Sequence, residues 1–206
     1  MENLRNRGHN MKKEILAFVY KTRGIYMLIA ISISMAIKFH SGGITTLPFF
    51  ITGVLLAAIA QVFRVYVASY LWGRQAVTEP EAEFLTTVGP YAYVRNPMYL
   101  GNFLIGLSLC LAINEWYAFA LFILSYIFVY SLVIPYEEEY LQNKFGERYI
   151  EYKAHTGRLI PRLNIYKNGS KVIPDCKAGV LGEIHVPVFL AVFFILIYIL
   201  FVNGQV

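Results

Sequence analysis

Five apolar runs dominate this chain, at residues 24–39, 47–71, 98–113, 116–135 and 184–202. A bilayer core takes about 20 mostly apolar residues per helix, within a range near 17 to 25. Gly, Pro, Asn or charge clusters separate the runs and mark helix ends. The spacing predicts an all-α integral membrane protein with about five transmembrane helices. Runs 24–39 and 98–113 are short. They either lengthen into their flanks or, for the third and fourth runs, form a tight helical hairpin turning at Asn114 and Glu115 that need not cross fully. Residues 1–206 read as one membrane domain.

Composition agrees. The chain is 57% hydrophobic, above the roughly 45–50% of soluble domains. Its 16 Tyr and 15 Phe exceed what a Leu-rich bundle needs and suit the headgroup region, which favours amphipathic rings. Two cysteines, Cys110 in an apolar run and Cys176 in a polar stretch, support neither a disulfide framework nor a cysteine metal site. No metal site is expected. The N-terminal residues are basic, but no short apolar core with a small-residue cleavage site follows them, so a removable signal peptide is not expected.

The net charge of +5 is spread between apolar runs and forms no compact stripe, which argues for membrane topology over nucleic-acid binding. Of the 18 Lys and Arg, six precede the first run, two lie between the second and third, and eight between the fourth and fifth. The positive-inside rule then puts the N-terminus and segments 72–97 and 136–183 in the cytoplasm and, with five spans, the C-terminus outside. The compact chain suggests a bacterial or archaeal inner membrane. A transporter would place ionisable groups at the midplane, whereas these runs are nearly free of them. Arg64 is the main exception, readable as snorkelling to the interface or as a cofactor contact. His40 and His185 read as interfacial, His9 as part of the N-terminal tail and His155 as a surface residue.

Two segments carry the polar chemistry. In residues 87–106, TVGPYAYVRNPMYLGNFLIG, a Gly-Pro and an Asn-Pro turn lead into an apolar helix. Asn96 suits an N-cap, Pro97 the first helical position, and Gly101 and Gly106 close approach of a backbone or ligand. A capped helix start with small-residue packing accounts for these features equally. In residues 135–163 three carboxylates, Glu137, Glu138 and Glu139, follow an apolar run. Consecutive helical residues point about 100° apart, so at least one faces the bundle, where it can pair with a cationic group, while another is solvated. Glu139 reads as the solvated one.

Taken together, GPYAYVRNPMYLG, EEEYLQNKFGERYIEY and RLIP resemble the isoprenylcysteine carboxyl methyltransferase and phospholipid methyltransferase superfamily, over residues 53–161. The pattern falls on Gly89, Pro90, Tyr91, Arg95, Pro97, Tyr99, Glu137, Glu138, Leu141, Phe145, Gly146, Tyr149, Tyr152, Arg158 and Pro161. The chain departs from it at Asn96, where the family's usual residue is His. Asn can donate and accept hydrogen bonds, but it cannot transfer protons near neutral pH.

The resemblance implies S-adenosyl-L-methionine as cofactor, a cytoplasmic cofactor-binding region and a lipidic or prenylated acceptor reaching it from the bilayer. It implies Arg158 and Glu138 as catalytic residues. It implies Tyr91, Arg95, Asn96, Pro97, Tyr99, Gly101, Glu137 and Glu138 as the cofactor-binding set. In that set Glu137 or Glu138 would meet the cofactor ammonium, Asn96 and Tyr99 would form a wall, and Arg158 would meet an anion. Arg95 would do the same or form a structural salt bridge. Competing readings are an NADPH-dependent membrane reductase of sterol-reductase type and a non-catalytic helical membrane protein. The acceptor, whether carboxylate, amine or small isoprenoid, stays open, as does the oligomeric state.

Overall fold

The computed structural model describes residues 2–71, 85–168 and 173–202, without the side chains of residues 2–10 and 12. His9 and positions 72–84 of the expected polar segment lie outside that description. Described in chain order are α1 (Glu2–His40), α2 (Leu47–Ser69), a 3-10 turn at Gly89–Ala92, α3 (Pro97–Ile113), α4 (Trp116–Phe145), α5 (Glu147–His155), α6 (Cys176–Glu183) and α7 (His185–Ile197), which ends in a π turn at Tyr198–Val202. The described residues contain no β-strand, only an isolated bridge between Val94 and Gly157.

Four helical stretches are long and apolar enough to cross a membrane: Lys13–His40, Leu47–Ser69, Trp116–Phe145 and His185–Val202. The third apolar run forms the shorter helix Pro97–Ile113. At ~1.5 Å per residue it rises about 25 Å, and it packs along α2. Its hairpin to α4 turns where the sequence places it. Asn114 adopts the left-handed conformation at φ 57°, which Asn tolerates better than most residues.

Small residues let α2 and α3 approach closely, as is usual where helices lack a hydrophobic drive to associate. A Cβ on Gly53 would lie 2.7 Å from the Ser108 carbonyl oxygen and 2.9 Å from the Ala112 nitrogen. Backbone cannot retreat as a side-chain tip can. Gly53→Leu is therefore expected to lower the thermal unfolding midpoint in detergent, with a cost of about 1–3 kcal/mol from overpacking. An unchanged midpoint would contradict this packing.

The ends of the bundle differ. At one end, Lys38 is fully buried and its Nζ donates to the carbonyls of Ile44 and Ile113 and to Glu115. This cation ties the α1–α2 and α3–α4 turns together and satisfies a carbonyl that the end of α3 leaves open. The polar sequence gathers at the other end. There α4 does not stop at Pro135 but continues to Phe145. Its 30 residues rise about 45 Å against about 30 Å of hydrocarbon, so its last turns, with all three glutamates, emerge beyond the apolar layer.

Candidate functional site

Two segments distant in sequence are zipped together at this polar end. After α5 the chain folds back along residues 92–95. Arg95 N donates to the Gly157 carbonyl (2.8 Å), Arg162 N to that of Tyr93 (3.0 Å) and Tyr166 N to that of Ala92 (3.1 Å). The Tyr152 hydroxyl donates to the Tyr91 carbonyl at 2.7 Å. Tyr149, Tyr152 and Tyr166 pack with Leu85 in a small core of their own. Burial pushes the phenols of Tyr91, Tyr149 and Tyr152 above their usual value, so they stay neutral and serve as donors and packing surfaces.

Glu138 is the hub of this cap. Its side chain is 4% exposed, with Arg95 Nε at 3.0 Å from Oε1, Arg158 Nη2 at 2.8 Å and Lys153 Nζ at 3.6 Å from Oε2. Arg95 also donates to the carbonyls of Lys153 and Thr156. One carboxylate at the end of α4 thus gathers cations from before α3, from α5 and from the loop after it. Asn96 joins the same cluster. It stands at the N-cap position of α3 but makes no side-chain cap bond; its Nδ2 donates instead to the Arg158 carbonyl at 3.0 Å.

Glu137 is in a different situation. It accepts a 2.6 Å hydrogen bond from the Tyr99 hydroxyl. Among the described residues it has no ion-pair partner. Arg23, stacked at 4.2 Å on the Tyr20 ring, adds positive potential from further away. Glu139 is exposed. Three adjacent acids therefore have three fates, set by the 100° step of the helix: one bound to cations, one held by a hydroxyl, one in water.

Pro97 opens α3 and is buried, as are Tyr91 and Tyr99. Gly101 is apart from this group. A Cβ there would lie 2.5 Å from Arg64 Cγ, so an arginine side chain, not a backbone or a cofactor, makes the close approach. Phe122 does the same at Gly106. Arg64 does not snorkel: it is buried and paired with Glu183 of α6, with Nη2 at 2.7 Å from Oε2. His155 is exposed, with Nδ1 2.8 Å from the Glu151 carbonyl. Among the described residues no group of three or more His, Cys, Asp or Glu is placed to hold a metal.

Sequence reasoning misses Lys153 and the Arg64–Glu183 pair. Lys153 is one of several basic residues in its segment, with nothing local to single it out. A lone arginine and a lone acid 119 positions apart gave no sign of pairing, although each is conspicuous beside an apolar run.

The phospholipid methyltransferase family profile matches residues 48–148, a stretch that contains Arg95, Asn96, Tyr99, Glu137 and Glu138. Through that stretch the chain belongs to the phospholipid methyltransferase family. Relatives point the same way. The cobalt-zinc-cadmium resistance protein CzcN of Cupriavidus metallidurans is 33% identical over 118 residues, 57% of this chain and 51% of the relative. The protein-S-isoprenylcysteine O-methyltransferase of Saccharomyces cerevisiae is 30% identical over 129 residues, 61% of this chain and 54% of the relative. That of Schizosaccharomyces pombe is 36% identical over 77 residues, 37% of this chain and 33% of the relative. The chain spans about half the length, or less, of these curated relatives. Residues 149–206, with Arg158, α6 and α7, lie beyond the family match.

Proposed function

We propose that this protein is an S-adenosyl-L-methionine-dependent methyltransferase acting on a lipidic or isoprenoid-linked acceptor at the membrane face, the cytoplasmic one by its charge distribution. The observation that carries this reading is the contrast between two neighbouring acids in a family-matched stretch. Glu138 is committed to three cations, whereas Glu137 is held in place by Tyr99 and keeps its charge for a ligand.

The residues present fit such a cofactor. Glu137 offers an anion for its ammonium group. Arg158, half exposed beyond its contact with Glu138, offers a guanidinium to a carboxylate. Tyr91 and Tyr99 supply aromatic surface for an adenine or a sulfonium. Bound there, the cofactor supplies a methyl group on a sulfonium, which passes in line to a nucleophile while the bonding pair stays on sulfur. The protein's task is then to align donor and acceptor and exclude water. Glu138, Arg95 and Asn96 act as positioning residues: they fix the Arg158 loop against α3 and α4.

Protein in nanodiscs containing a bacterial lipid extract, given cofactor labelled in its methyl group, is expected to transfer label to the organic phase, and Glu137→Gln is expected to abolish that transfer. Absence of label from every lipid fraction, with the protein folded, would contradict an acceptor drawn from those lipids.

A further inference from the structure

A cavity of about 550 Å³ lies inside the bundle and is lined by residues of α1, α2, α3, α4, α6 and α7. That is within the roughly 300–1,000 Å³ of small-molecule sites. Leu28 of α1 and Phe189 of α7, both on its wall, are also exposed on the bundle surface. Helices α1 and α7 pack on α4 and on α2 and α3 rather than on each other, so the cavity opens sideways towards the acyl chains. Its wall is mostly apolar, with a polar spot at Arg64, Asn102 and Glu183.

Glu183 is the informative residue. It is 1% exposed. Arg64 directs both Nε (2.8 Å) and Nη2 (2.7 Å) to one carboxylate oxygen, Oε2, where a fork-to-fork pair would use both. The other oxygen, Oε1, is buried and has no hydrogen-bond partner. A buried acceptor left open on an ion is costly, and a ligand that donates a hydrogen bond there removes the cost. The opposite wall leads back to the cap. Tyr130 lines the cavity and accepts from Asn102 Nδ2 at 2.7 Å; its ring packs 4.6 Å from that of Tyr99, whose hydroxyl bonds Glu137.

We infer that this cavity is the acceptor site, and that it takes a lipid-tailed molecule whose head donates an N–H or O–H hydrogen bond to Glu183, an amine or alcohol rather than a carboxylate. The inference rests on the methyltransferase reading for the word acceptor; the lipid site itself does not. Glu183 lies outside the family-matched residues 48–148, so it is a specificity device of this chain's C-terminal part. Methylation of such a head forms an N–C or O–C bond with the head's lone pair and leaves the broken carbon–sulfur pair on sulfur. The head's proton passes to the Glu183 carboxylate.

The test uses two photoreactive probes with the same diazirine-bearing alkyl tail, one ending in a primary amine and one in a carboxylate, on the full chain in phosphatidylcholine nanodiscs. Labelled positions are read by peptide mass spectrometry. The amine probe is expected to label residues 25–31 and 182–189 about tenfold more than the carboxylate probe, the size of a charge-assisted hydrogen bond. Glu183→Gln is expected to remove that preference. Leu28→Trp leaves the Arg64–Glu183 pair intact and is expected to fill the opening and suppress labelling by both probes, so a folding defect in Glu183→Gln does not decide the matter. Equal labelling by the two probes, a preference that survives Glu183→Gln, or labelling unaffected by Leu28→Trp would overturn the inference. S-adenosylhomocysteine binding to the same wild-type sample reports separately on the methyltransferase reading: its absence there, with the amine preference intact, would sink that reading and leave a donor-selective lipid site.

Discussion

Glu138→Gln is expected to unfasten the cap from the bundle and lower the thermal unfolding midpoint more than any other single change among the three glutamates. The substitution keeps shape and removes charge, leaving Arg95, buried to 9%, and Lys153 and Arg158 without their shared anion. Stripping one partner from a buried pair costs roughly 3–5 kcal/mol. The low end, about 3 kcal/mol, applies here because Arg158 and Lys153 are substantially exposed and water screens them. Limited proteolysis should show the change first between Glu147 and Asn168, the segment that Glu138 ties down. Loss of stability without new cleavage there would mean that the carboxylate supports the helices and not the cap.

Glu137→Gln should have the reverse profile. Its neighbour Tyr99 can donate to a Gln side-chain oxygen as it does to the carboxylate, and no cation among the described residues loses an ion pair. The unfolding midpoint should move little. Affinity for S-adenosylhomocysteine should fall by at least about thirtyfold, or about 2 kcal/mol, because the ligand's ammonium group loses its counter-charge in a partly desolvated site. Measured side by side by calorimetry and thermal unfolding, the two variants separate ligand binding from scaffolding. A double substitution would merge the effects and separate nothing.

Much of this architecture is legible in the sequence because two strong signals carry it. Apolar length set the helices, and the αL tolerance of Asn114 set the hairpin. Order and spacing of the two polar segments gave the family. What the sequence withheld was partner choice. Glu137 and Glu138 are adjacent and chemically identical, and only the phase of α4 against Arg95 and Arg158 distinguishes them. Asn96 stands where an N-cap belongs, yet its amide is drawn to the Arg158 carbonyl 62 positions away. The end of the fourth run was likewise misplaced by Pro135: proline usually ends a soluble helix, but α4 absorbs it and continues to Phe145, because neighbouring groups in a packed bundle can satisfy the freed carbonyl. Arg64 and Glu183 were each visible as lone charges, but their pairing depends on α6 docking on α2. That docking in turn rests on Gly179, where a Cβ would meet the Val65 carbonyl oxygen at 2.8 Å.

The most direct measurement is calorimetric titration of detergent-purified wild-type protein with S-adenosylhomocysteine and, separately, with NADPH. Saturable binding of S-adenosylhomocysteine and no binding of NADPH is the result expected of a methyltransferase site around Glu137. Binding of NADPH alone, or of neither ligand to folded protein, would contradict it.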